Sequence, residues 1–388
     1  MSAARLASAT EHLRALVAFD STSRNSNLPI IDYIESVLAP LGFSCLRVPS
    51  PDGRKCNLLA RLGPAVDGGM VLSGHTDVVP VDGQPWLSDP FTLTEKDGAL
   101  YGRGTCDMKG FVACLLAMAP LYASRSRRTP LSLAFSYDEE VGCLGIPHLL
   151  RHLQEQRLPM PSLAVVGEPT LMQVATAHKG VLSFETTVLG KEAHSSQPHL
   201  GVNSLHIACS LVHFLTQLGE EVAQAGPFDA RFEPPYSTLH VGIIEGGTAR
   251  NIIARQCRFV WEIRPLPGID PEIWLARFET HCEALRCGMR ARHAEADIIT
   301  RPMSRMMGVT LPARAQGELA TVMRAAQTNH DIAVAFATEA GVFNAYGIPS
   351  IICGPGSIDQ AHQPNEFVAI SQLEQCLAFL QRLDEEAA

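Results

Sequence analysis

Five short segments carry residues able to hold a divalent cation. They are Gly74-His75-Thr76-Asp77, Gly102-Arg103-Gly104-Thr105-Cys106-Asp107, Asp138-Glu139-Glu140, Gly167-Glu168-Pro169 and Ala361-His362-Gln363-Pro364-Asn365-Glu366. Imidazole and carboxylate suit zinc and similar borderline ions. Two imidazoles with three carboxylates suit a pair of ions ~3.5 to 4 Å apart that share a carboxylate and a water, the arrangement that polarises a carbonyl and activates water for attack. Charge agrees: Asp107, Glu140 and Glu168 as ligands with one bridging hydroxide balance two dications and remove the repulsion that clustered carboxylates would suffer. His75 and Asp77 are two apart, so on an extended chain Asp77 can accept the second imidazole N–H and orient the ring. The side chains of Glu139 and Glu140 diverge as neighbours. One can bind metal while the other addresses the water as a general base.

These residues need elements that bring them together. Apolar runs bounded by Gly, Pro or Asn predict strands at 57–62, 70–73, 131–137, 163–166 and 350–353, and helical spacing predicts helices at 108–118 and 146–153. Such alternation implies an α/β fold with a mostly parallel sheet covered by helices, whose ligands gather beyond the carboxyl ends of the strands. Taken singly, an Asp before a helix is an N-cap, paired glutamates are a solvated face, and a lone His is a satisfied polar residue. The functional reading rests on all five candidates falling at one edge of one sheet. His12, His148, His152, His206 and His281 lie on helical patterns without a partner acid and read as structural, as does Cys106. No GxSxG, P-loop lysine or HExxH occurs.

The middle of the chain has another pattern. Leu182, Phe184, Thr186 and Val188 alternate, as do Cys257, Phe259, Trp261 and Ile263, while 202–218 and 271–287 carry helical spacing. The order strand, helix, strand, strand, helix, strand predicts a ferredoxin-like α+β domain at 179–298, inserted into a catalytic domain made of 1–178 and 299–388.

Composition narrows the class. The 388 residues are 46% hydrophobic and 18% charged with a formal charge of -9, a globular composition without the basic runs that phosphate binding needs. Nucleic acid is not expected as a partner. No apolar stretch reaches bilayer length and Glu11, His12 and Arg14 interrupt any signal-peptide core, so neither a membrane nor export is expected and the location is read as cytoplasmic. The eleven cysteines form no CxxC pair.

The five motifs, in this order, resemble the M20 family of dinuclear zinc peptidases and deacylases. The resemblance implies two Zn²⁺ per subunit, with Co²⁺ as a substitute: one held by His75 and Glu168, the other by Glu140 and His362, Asp107 bridging and Glu139 as general base. It implies that the inserted domain is a lid or dimerisation domain in a homodimer, with His194 reaching the partner's site to steady the oxyanion. Within the family, Gly246 to Ile253, Trp261 to Gly268, Ala337 to Gly341 and Cys353 to Ser357 resemble the N-acetylornithine deacetylases. That branch implies hydrolysis of N2-acetyl-L-ornithine to L-ornithine and acetate in arginine biosynthesis, with Arg264 and Asn251 on the α-carboxylate of an N-acyl amino acid substrate. The alternatives are an acyl-amino-acid or succinyl-diaminopimelate deacylase, a dipeptidase, or a catalytically silent binding protein.

Overall fold

The structure is a computed structural model that describes residues 3–387. Four strands, Leu131–Ser136, Met70–His75, Leu163–Pro169 and Ser350–Gly354, lie side by side in parallel at the centre of a nine-stranded sheet. Every residue in them is buried. That is why they read as continuous apolar runs: a strand covered by helices on both faces has no solvent side. The flanking strands are antiparallel, Cys56–Leu62 and Ser44–Pro49 on one side and Ala175–His178 on the other.

The helix Lys109–Ser124 is buried at every position from Lys109 to Ala119 and packs against the helices Ala3–Val17 and Ile370–Ala387. An all-round apolar helix of this kind is a core element. No described helix is long and apolar enough to cross a membrane.

Two of the strands continue past the ends predicted at Ser73 and Val166. His75 pairs with Ser136, and Glu168 and Pro169 belong to their strand. Polar residues end the apolar pattern there while the hydrogen-bond ladder runs on. His75 and Glu168 therefore project from the sheet itself and not from loops after it.

The chain forms two units: one up to Ala177 with Thr310–Ala333 and from Thr338 onwards, the other His178–Val309 with Val334–Ala337. In the second, Val181–Leu189, Thr238–Gly246, Gln256–Arg264 and Asp297–Met306 form an antiparallel sheet backed by the helices Ser204–Ala225 and Glu272–Arg292. Val181–Leu189 and Gln256–Arg264 alternate buried and partly exposed positions. Trp261 stacks on Phe184 at 4.6 Å and donates its indole N–H to Thr186 Oγ1 at 3.0 Å, so the buried Thr186 hydroxyl is satisfied. Asn203 caps the first helix by accepting from the amides of Leu205 and His206. The main segment of this unit ends at Val309, beyond the boundary of 298 expected from the sequence, because the last strand runs to Met306, and Val334–Ala337 joins it from further along the chain.

Candidate active site

His75, at the end of its strand, places Nε2 2.9 Å from Asp107 Oδ1 and 3.8 Å from Glu168 Oε1. Asp107 opens the next helix without capping it, since Met108 holds the cap position and no side chain caps there. Its carboxylate faces two rings instead: Oδ1 meets His75 and Oδ2 lies 3.2 Å from His362 Nε2. His362 also lies 2.9 Å from Glu140 Oε2. In the run Asp138-Glu139-Glu140, Asp138 turns away to pair with Lys55. Glu139 groups with His75 and Glu168, and Glu140 with His75 and Asp107; within each set the donor atoms lie within 4.8 Å of one another. Glycine makes room beside the cluster, because a Cβ on Gly167 would sit 2.1 Å from the Phe111 ring.

The electrostatics are those of a cation site. Burial pushes Glu139 and Glu168 well above the usual carboxylate range, and burial with the Asp107 charge lifts Glu140 to about 7. Burial opposes protonation of His75, yet the Asp107 and Glu168 carboxylates overcome it and raise the imidazole well above normal. The same contest at His362, with Asp107 and Glu140, ends at about 11. Asp107 is held low because hydrogen bonds from both rings outweigh its own burial. Were all of them ionised, four acids, two buried and two half-buried, would outweigh two imidazoliums; the raised carboxyls answer that repulsion, which added cations would relieve. Glu140 Oε1 is buried with no hydrogen-bond partner among the described residues, an orphaned acceptor of the kind an ion satisfies. The donor set fits a metal centre.

The model of Peptidase family M20/M25/M40 matches residues 71–386. This chain belongs to that family. Among curated M20 relatives, the acetylornithine deacetylase of Myxococcus xanthus is 38% identical over 95% of both chains. That of Proteus mirabilis is 36% identical over 93% of this chain and 90% of its own. Among solved structures, the M20 metallo-carboxypeptidase Sso-CP2 of Sulfolobus solfataricus superimposes with a TM-score of 0.79 at 17% identity, covering 98% of this chain and 99% of that one. A dinuclear metal-binding M20 peptidase of Bacillus subtilis gives 0.64 at 15%, covering 99% and 98%. These two speak to the M20 fold alone.

Not every residue singled out in this M20 sequence sits as expected. The atom that holds His75 Nδ1 is the main-chain carbonyl of Asp77, at 2.9 Å, whereas Asp77 Oδ1 is 3.7 Å away. The Asp77 carboxylate instead accepts from Ser23 Oγ at 2.7 Å and from the amides of Glu139 and Glu140 at 3.1 and 3.3 Å. Asp77 thus orients the ring through its backbone and the glutamate pair through its side chain.

His194, Asn251 and Arg264 belong to the second unit. His194 is exposed, its Nδ1 2.7 Å from Ser196 Oγ, and the amide of Ser195 donates to the Asn251 carbonyl at 3.0 Å, so these two candidates occupy neighbouring segments. Arg264 forks onto Glu262 at 2.7 and 3.4 Å. Two acids received no role from the sequence. Glu339 is buried and accepts from Ser73 Oγ at 3.1 Å, and Glu366 is buried under Asp107. Each stands in a motif already singled out, but neither a carboxylate on a distant serine hydroxyl, as in Glu339, nor one on backbone amides, as in Glu366, leaves a spacing signal.

Proposed function

We propose that this chain hydrolyses the acyl amide of N-acylated amino acids, with N2-acetyl-L-ornithine as the principal substrate and L-ornithine and acetate as products, a step of arginine biosynthesis. The observation that carries the substrate is the likeness to acetylornithine deacetylases at 35 to 38% identity over more than nine-tenths of this chain.

His75 and Glu168 would hold one Zn²⁺, Glu140 and His362 the other, with Asp107 between them; Co²⁺ is the expected substitute. Such ions polarise an acyl oxygen and acidify water when bound. Glu139, grouped with His75 and Glu168, would be held ionised by the bound cations, take a proton from water and pass it to the leaving amine. His194 donates to the developing oxyanion, and Asn251 and Arg264 receive the α-carboxylate, Arg264 exchanging Glu262 for the substrate. A homodimer through the second unit is supported by its edge strand Thr238–Gly246, where Ile243 and Ile244 are each 47% exposed.

The test is a substrate panel of acetylornithine, acetylmethionine, succinyl-diaminopimelate and dipeptides. Acetylornithine should show the highest kcat/KM; a tenfold preference for another member reassigns the substrate. Metal analysis should find two equivalents per chain, and one ion with full activity would exclude the dinuclear scheme. For the dimer, mixing His194→Ala with Glu139→Gln chains should restore activity if His194 acts across the interface. No regain would place its action within one subunit, or remove it.

A further inference from the structure

The segment Ala361–Glu366 ends in an acid that the reaction above does not use. Glu366 is 1% exposed, and its two oxygens are shared among four donors. Oε2 accepts from Arg103 Nη1 at 2.8 Å and from the amide of Gly104 at 2.9 Å. Oε1 accepts from the amides of Cys106 at 2.9 Å and Asp107 at 3.0 Å. Its main-chain carbonyl accepts a further amide, that of Gly102, at 3.0 Å. Five donors of the segment Gly102–Asp107 therefore end on one residue.

The tie continues to His362. Arg103 is fully buried, lies 5.0 Å from the Trp86 ring centroid, and donates both to the Gln363 carbonyl at 3.4 Å and to Gln84 Oε1. Gln84 in turn donates to the His362 carbonyl at 2.9 Å. Two segments far apart in the chain, one carrying Asp107 and the other His362, are thus fastened through Glu366 and Arg103. The fastening matters most for the second segment: His362 and Asn365 both hold left-handed backbone, at φ 62° and 60°, and the His362 side chain is 49% exposed. Non-glycine residues keep such conformations when their surroundings over-determine them.

We propose that Glu366 is a positioning residue that fixes the separation of Asp107 and His362 and so sets the affinity for the ion these two would share. This rests on the metal-centre reading above. A buried carboxylate could serve the fold alone by satisfying backbone amides. What separates the two roles is whether metal binding responds while the fold does not.

Glu366→Gln keeps the volume but turns an NH₂ toward one of the two donor pairs, so half of the fastening is lost. In the full chain, competition with a chromophoric chelator should show ~10- to 100-fold weaker binding of the more weakly held ion, the range typical for loss of an outer partner of a metal ligand. The tighter ion should change less, the visible spectrum of the Co²⁺ form should shift, and KM should stay near that of the unaltered chain. A variant that folds normally and holds both ions with unaltered affinity and an unaltered Co²⁺ spectrum overturns the proposal. If Glu366→Gln does not fold, Gln84→Ala decides: it leaves Glu366 intact, removes the link from Arg103 to the His362 carbonyl together with the acceptor of the Trp86 indole N–H, and should weaken the same ion several-fold. Unchanged affinity there overturns the proposal equally. If the unaltered chain binds no ion in the same titration, the metal-centre reading itself fails, and this proposal with it.

Discussion

His75 and His178 end different strands, are exposed by 1% and 0%, and each donates Nδ1–H to a main-chain carbonyl, at 2.9 and 2.7 Å. They are nevertheless driven in opposite directions. His178 has no partner on Nε2 among the described residues, and burial outweighs its bond to the Lys179 carbonyl and drops it to about 4. His75 presents Nε2 to Asp107 and Glu168 and is raised. Burial, a strand end and a carbonyl on Nδ1 are common to both, so none of these marks a cation site. The acids on the second nitrogen do.

The largest effect should come from the acidic side of this comparison. Glu139→Gln should retain the metals and the fold while kcat falls ~10² to 10⁴, the usual worth of a positioned proton carrier. Glu140→Gln should instead lower the metal content. Zinc analysis and kcat for both variants check it, and the reverse pattern would exchange the two roles.

The second effect belongs to His178. Its folded value of about 4 lies below the ordinary 6.5, so the unfolded chain binds the proton more tightly. The stability from keeping this ring neutral is complete above pH 6.5 and is lost as pH falls toward 4. Over that window the loss is about 3 kcal/mol. Urea unfolding of the unaltered chain and His178→Gln at pH 7 and pH 4 should show the stability difference between them changing by this amount, against the unaltered chain at the lower pH. A constant difference would mean that His178 does not stay neutral.

The smallest effect tests the support beneath the glutamate pair. Ser23→Ala removes one of three donors on the Asp77 carboxylate and should lower stability by about 1 kcal/mol, read from the denaturant midpoint. No change would mean that the two amides alone hold Asp77.

The central strands were legible because burial on both faces writes itself as unbroken apolar sequence, and the metal-ligand candidates because two imidazoles and several acids fell together at one edge of one sheet, which no single histidine at a strand end would show. The limits were equally physical. Asp297–Met306 escaped the boundary because its register slips between Pro302 and Ser304 and its middle is exposed, which erases the period of two. The direction of Asp77 could not be read, since a residue two positions from a histidine can offer it either a carboxylate or a carbonyl. Glu366 was quoted in its motif, but three of the four donors on its carboxylate are backbone amides, which no residue type announces, and the fourth, Arg103, lies far away in the chain.

The place where the chain departs from its first unit has a further consequence. It leaves at Ala177 and returns at Thr310, and there the amide of Leu311 donates to the Thr176 carbonyl at 2.7 Å. Departure and return are neighbours in one ladder, so the first unit meets the long excursion between them as a hairpin meets its loop. The entropy of closing a loop grows only with the logarithm of its length, and a long insertion at such a point is tolerated at small cost. Evolution could then enlarge or exchange the excursion without reworking the sheet that holds the acids. A chain with 178–309 replaced by a two-residue turn should keep the cooperative unfolding of the first unit; a molten product would show that the excursion helps to close the ladder as well as to interrupt it.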